Sequence, residues 1–143
     1  MPYREKTAWL SLIAMALAFG PYFTFTALTA GSRPVALLPN PRQLVLYALT
    51  IVVQVLILGV GHLYLRHATP RDERAPSDER DRAIMSRSLS FAYYVLIAGM
   101  IQVGCFMPFN SSGWAIVNAA VFAIVVSEVV RQSVVVFSYR RQA

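Results

Sequence analysis

Glu128 and Arg131 lie three residues apart in a stretch, 114–137, that is otherwise apolar enough for the interior of a lipid bilayer. A charge at mid-bilayer costs about 2.5–3.5 kcal/mol even on insertion scales, so both residues require partners. On a helix they are neighbours and can form an i,i+3 ion pair, with spare hydrogen-bonding capacity taken up by Gln54, Gln102 or Asn118. At 100° per residue Asn118, Glu128, Arg131 and Gln132 fall within an arc of about 140°, giving the segment one polar face. The alternative to a structural pair is a polar intramembrane path past Gln54, Gln102, Glu128 and Arg131, in which the carboxylate exchanges a proton or meets a cationic or polar ligand. A third account ends the span early and leaves Arg131 to snorkel at the interface.

The second concentration of charge is residues 69–84, TPRDERAPSDERDRAI, with five of the seven acids and two Asp-Glu-Arg triplets. Pro70 and Pro76 exclude a continuous helix. Ser77 or Asp78 followed by Glu79 and Asp81 is a helix start, with a capping side chain and then acids at the positive end of the helix dipole. Asp78 and Arg82 at i,i+4, and Glu79 and Arg82 at i,i+3, predict supporting ion pairs. A helix from 78 to 107 is about 45 Å long, so about 15 Å of it stands outside a 30 Å hydrocarbon core as a charged stub. The leading expectation is a solvated face; the next is a docking surface for a cytoplasmic partner or for anionic headgroups. A metal site from Asp72, Glu73, Asp78, Glu79 and Asp81 is disfavoured by the six arginines of the same loop and by the lack of EF-hand spacing.

The Asp78-Glu79-Arg80-Asp81 motif entering an apolar helix that is followed by a second hairpin helix resembles small uncharacterised prokaryotic membrane proteins carrying such a motif before a transmembrane helix. The resemblance covers about residues 76–137. It implies topology and no chemistry.

Other classes of function find little support. His62 and His67 are the only histidines and lie five apart, so two facing helices cannot each supply a haem ligand. No HExxH, GxSxG or P-loop pattern occurs, and no enzymatic constellation, cofactor or metal is expected. Cys105 is the lone cysteine and is expected to be a buried structural thiol. The net charge of +6 comes from bases interleaved with acids outside the apolar runs, which argues against nucleic acid as a partner.

The elements that must position these residues are four apolar runs, about 7–28, 44–65, 89–107 and 114–137, each long enough to cross a bilayer as a helix. The chain is 57% hydrophobic and 14% charged, far from a soluble domain's balance. The six-residue PFNSSG connection makes the last two runs an antiparallel hairpin. Ten bases (Arg4, Lys6, Arg66, Arg71, Arg74, Arg80, Arg82, Arg87, Arg140, Arg141) fall on one side and Arg33 and Arg42 on the other. That bias puts both termini and the linker 66–87 in the cytoplasm. Twelve of the thirteen bases are arginine, as in a GC-rich bacterial genome, which makes the bacterial inner membrane the expected location. The first run, although preceded by bases like a signal peptide, is expected to remain as an anchor, because Leu precedes the best cleavage position.

Small residues at 115, 119, 123 and 127, and the pairs Ala14/Ala18 and Ala16/Gly20, predict packing ridges or, less directly, a homo-oligomer contact. Tyr3, Tyr22, Tyr64, Trp114 and Tyr139 are expected at the interfaces. The expectation is therefore an all-α four-helix transmembrane bundle of two hairpins, 1–143 forming one domain in a lipid bilayer. Its leading role is an interaction or accessory protein with a cytoplasmic or membrane partner; the alternative is a small transporter or channel component built around Glu128.

Overall fold

The computed structural model describes residues 3–29, 41–70 and 78–141. Four helices account for nearly all of them: α1 (Tyr3–Thr29), α2 (Pro41–Ala68), α3 (Glu79–Ile101) and α4 (Gly113–Arg140). All four are long and apolar enough to cross a membrane, counting with α3 its continuation to Phe109. In lipid only a helix satisfies its own backbone groups, so length and apolarity fix the element type.

α3 begins where the charge pattern predicts. Asp78 is the N-cap, and its Oδ1 accepts a hydrogen bond from the Glu79 amide at 2.7 Å. Among the described residues the expected pairs of Arg82 with Asp78 and Glu79 are not formed. At its far end α3 loosens into a π-helical turn, Gln102–Phe106, and a 3-10 turn, Met107–Phe109. Pro108 and Phe109, expected in the connection, are thus helical, and the true turn is Asn110 to Ser112. Ser112 then caps α4, its Oγ accepting from the Ala115 amide at 3.4 Å.

The helices form two hairpins, α1 with α2 and α3 with α4, joined by contact between α1 and α4. Their order across the assembly is therefore α2, α1, α4, α3, with α2 and α3 at the edges. Edge helix α2 is apolar around its circumference and largely uncovered, and Leu56, Val60 and Leu63 present open surface of the kind lipid covers.

The close approaches follow the small residues. A Cβ built on Gly99 would lie 2.7 Å from the Ala123 Cβ, so α3 and α4 pack there at glycine distance. Ala123 and Ser127 are buried, whereas Ala115, at the end of the same row, is exposed. In α1 the Ala14/Ala18 pair is buried and Ala16/Gly20 faces outward. Gly61 of α2 receives the Leu10 side chain of α1.

Two expectations are corrected. Cys105 is exposed rather than buried, because the π-helical turn carries it on an outer face. Tyr22, Trp114 and Tyr139, expected to face the interfaces as an aromatic belt, are buried instead, and the two tyrosine hydroxyls bond to side chains of other helices.

Candidate functional site

The six intramembrane polar residues divide into separate sites. The Glu128 Oε1 lies 2.9 Å from Arg131 Nη2 and accepts a hydrogen bond from Gln132 Nε2 at 2.7 Å. All three belong to α4, so the arrangement follows from i,i+3 and i,i+4 spacing alone. Asn118 is elsewhere, with its Oδ1 accepting from the Tyr22 hydroxyl of α1 at 2.5 Å. Ten residues separate it from Glu128, a rise of about 15 Å. Gln102 does not join either group: it is exposed, at the first position of the π-helical turn. The contact of Gly99 with Ala123 sets the antiparallel register and puts Gln102 level with about Ala120, about 12 Å from Glu128 in depth. Gln54 buries its Oε1 with no hydrogen-bond partner among the described residues.

A second cluster ties the helices together at the end that carries both described termini. Asp81 of α3 accepts a hydrogen bond from the Tyr139 hydroxyl of α4 through Oδ1, and its Oδ2 faces Arg4 Nε of α1 at 3.4 Å. One carboxylate of α3 thereby contacts two other helices and links all three. Glu5, 4% exposed, meets Arg140 Nε at 3.4 Å, and the Arg140 guanidinium lies 5.4 Å from the Trp9 ring centroid. Beneath these charges Ala8, Ile84, Val135 and Val136 form an apolar core with Trp9 and Leu12 against it. Exclusion of water by that core strengthens the ionic contacts above it.

The Asp78–Asp81 motif is thus not uniformly solvated. Asp78 caps the helix and Asp81 turns inward, while Glu79 and Arg80 are exposed. Asp81, Ile84 and Ser88 form the anchored face of the stub, and Glu79, Arg82 and Ser86 are on the other side. The upstream triplet Asp72-Glu73-Arg74 lies outside the described residues.

Between the two clusters is a cavity of about 170 Å³ to which all four helices contribute, lined by Arg4 and Ser11 of α1, His62 of α2, Asp81 of α3, and Arg131 and Gln132 of α4. His62 Nδ1 is 2.8 Å from the Leu58 carbonyl oxygen and donates to it. Arg131 Nε is buried without a partner among the described residues. Size and lining suit water or a small polar solute. The described residues contain no group of three or more metal-ligating side chains suited to an ion.

No family model matches the chain, and no curated protein or solved structure does.

Arg4, Glu5, His62, Tyr139 and Arg140 were not identified as site residues from the sequence. Their partners are distant in the chain: 58 residues separate Asp81 from Tyr139 and 135 separate Glu5 from Arg140, so no local spacing announces either contact. Glu5 offered one signal, an acid between Arg4 and Lys6 at the mouth of an apolar run.

Proposed function

We propose that this chain is a multi-pass accessory protein of the bacterial inner membrane, which uses the outward face of the α3 stub to engage a cytoplasmic partner. The observation that carries this reading is the anchoring of the stub. Asp81, Ile84 and Ser88 fix one face, so the opposite face, with Glu79 and Arg82, is a charged helical surface held in place before any partner arrives. Such preorganisation lowers the ordering cost of association. The arginine bias supports a cytoplasmic location for this end.

The test uses Glu79 and Arg82 rather than Asp78 and Asp81, which are structural. Glu79→Lys with Arg82→Glu reverses the outward charges without touching the cap or the clamp. The reversed variant is expected to insert and melt like wild type yet to lose, after cross-linking in native membranes, an adduct that wild type forms. Identical adducts from both proteins would reject the reading.

The four-helix cavity favours a second reading, a small transport component whose polar path runs past His62, Arg131 and Gln132 of the cavity lining to Glu128, which the last two contact. Purified protein in liposomes would then show a flux that Glu128→Gln abolishes in a folded chain. Absence of flux from wild type would dispose of it.

A further inference from the structure

On the far side of the α3–α4 hairpin from the cavity, at the same charged end, the two helices part to leave a groove of about 740 Å³. Its polar lining is Arg80 and Arg87 of α3, Ser133 and Ser138 of α4 and Arg141, the C-cap of α4, with no acid among the lining residues. Its apolar lining includes Phe91, Val130, Val134 and Phe137. We propose that this groove binds one anionic glycerophospholipid of the bilayer, with its phosphate between Arg87 and Arg141 and its acyl chains along Phe91, Val130 and Val134.

The order of residues with depth supports this occupant. Along α3, Arg87 is about 10 Å below Arg80 and Phe91 about 6 Å further. On the α4 side Arg141 stands about 10 Å above Val134 and Val130 about 6 Å further in, with Phe137 at about the level of the arginines, so both walls change from guanidinium to apolar along the axis on which a lipid changes from headgroup to chain. Arg87 and Arg141 have no acid partner among the described residues, unlike Arg4, Arg131 and Arg140, and both are exposed. Arg80 has interactions of its own within the chain and adds charge to the rim. The Arg87 guanidinium lies 5.8 Å from the Phe91 ring centroid, at the junction of the two halves. Free phosphate would match the basic half and leave the apolar half unused. An amphiphile matches both, and Phe91 and Phe137, 48% and 70% exposed, continue the apolar lining onto the outer surface. Basic pockets between membrane helices on the cytoplasmic side bind lipid headgroups by the same physics. The inference is independent of the accessory reading, which concerns a different face of the stub, that of Glu79 and Arg82.

The test is a titration of the purified full chain in mild detergent with dioleoyl phosphatidylglycerol, dioleoyl phosphatidylcholine or inorganic phosphate, counting bound molecules by native mass spectrometry. Phosphatidylglycerol is expected to bind at one per chain and more tightly than phosphatidylcholine. Phosphate at equal concentration should not displace it. At about 1 kcal/mol per basic side chain, Arg87→Gln should weaken binding about fivefold, and Arg87→Gln with Arg141→Gln about 25-fold. Arg87→Lys, which keeps the charge, should retain most of the affinity, and this variant controls for damage to the fold. Arg66→Gln removes an equal charge from the end of α2 and should change nothing. Equal losses in Arg66→Gln and Arg87→Gln would overturn the proposal in favour of diffuse surface attraction. Displacement by phosphate would reduce the groove to an anion site, and a photo-cross-linker at Ser133 that captures protein instead of lipid in native membranes would assign it to a protein partner; either result overturns the lipid.

Discussion

Asp81 and Glu128 are both carboxylates held by an arginine and a second donor, yet they do different work. Glu128 takes both its contacts from its own helix, whereas Asp81 takes its contacts from α1 and α4 while sitting on α3. The difference matters because membrane helices, once inserted, remain helical when they separate. A contact inside one helix survives separation and contributes little to assembly. A contact between helices is lost, so its whole net worth appears in the stability of the bundle. The residue with the higher cost of insertion thus contributes less to holding the fold together.

Asp81→Ala is the strongest test of that contrast. It removes the acceptor of the Tyr139 hydroxyl and the partner of Arg4 together, at a site where Asp81 and Arg4 keep only 21% and 33% of their side-chain exposure. Charge-assisted hydrogen bonds are worth about 1.5–3 kcal/mol, so a loss of about 2–3 kcal/mol is expected in reversible unfolding in detergent and bilayer-like micelles. Glu79→Ala, two residues away but exposed, should cost less than about 0.5 kcal/mol. If Asp81→Ala proves equally mild, the clamp does not hold the three helices and the contrast with Glu128 collapses.

The next largest effect sharpens the role of close packing on either side of the clamp. Gly99→Ala brings a Cβ to within 2.7 Å of the Ala123 Cβ, and neither atom can rotate away. Separation of α3 and α4 should cost about 1–2 kcal/mol, and Ala123→Gly in the same chain should recover part of it. Gly61→Ala meets the tip of Leu10 at a similar 2.5 Å, but that side chain can adopt another rotamer. A smaller loss is expected there, read from the same unfolding curves. Equal losses would mean that α1 and α2 are as rigidly opposed as α3 and α4.

These comparisons show what was legible in the sequence. Helix number, the hairpin pairing and the start of α3 at Asp78 follow from apolar run length, a short connection and capping chemistry, all of which act over a few residues. So does the Glu128–Arg131 pair, fixed by helical spacing. The clamp was not legible: Arg4, Asp81 and Tyr139 meet only once three helices are docked, and Tyr139 near the end of an apolar run has the pattern of an interfacial tyrosine. Gln102 was misjudged for the converse reason. Polarity groups it with Glu128, but the register set by Gly99 and Ala123 puts it about 12 Å away in depth and on an exposed face, and neither register nor face is specified by the composition of a single apolar run.

Tyr22→Phe tests a weaker interhelical contact at the other end. It deletes the hydroxyl that donates to Asn118 while preserving the ring packed edge-on against Phe23. Hydrogen bonds between membrane helices average about 0.6 kcal/mol, and a loss of that size is expected, with Asn118→Ala adding little further once the hydroxyl is gone. Fully additive losses would show that the two residues act through separate contacts.

Glu128→Gln should produce the smallest change in bundle stability, below about 0.5 kcal/mol, although the residue is the most expensive of the set to place in lipid. A glutamine at 128 retains a carbonyl oxygen for Gln132, and the pairing it loses with Arg131 exists equally in the separated helix. The cost should appear instead at insertion, where Arg131 would enter the bilayer without its counter-charge. Measuring both quantities separates the possibilities. A near-wild-type melting midpoint with reduced membrane integration supports an intrahelical pair, and Arg131→Leu added to the same chain should restore integration by removing the unpaired guanidinium. A large fall in the midpoint would require Glu128 to hold another helix, with a contact of the kind Asp81 makes.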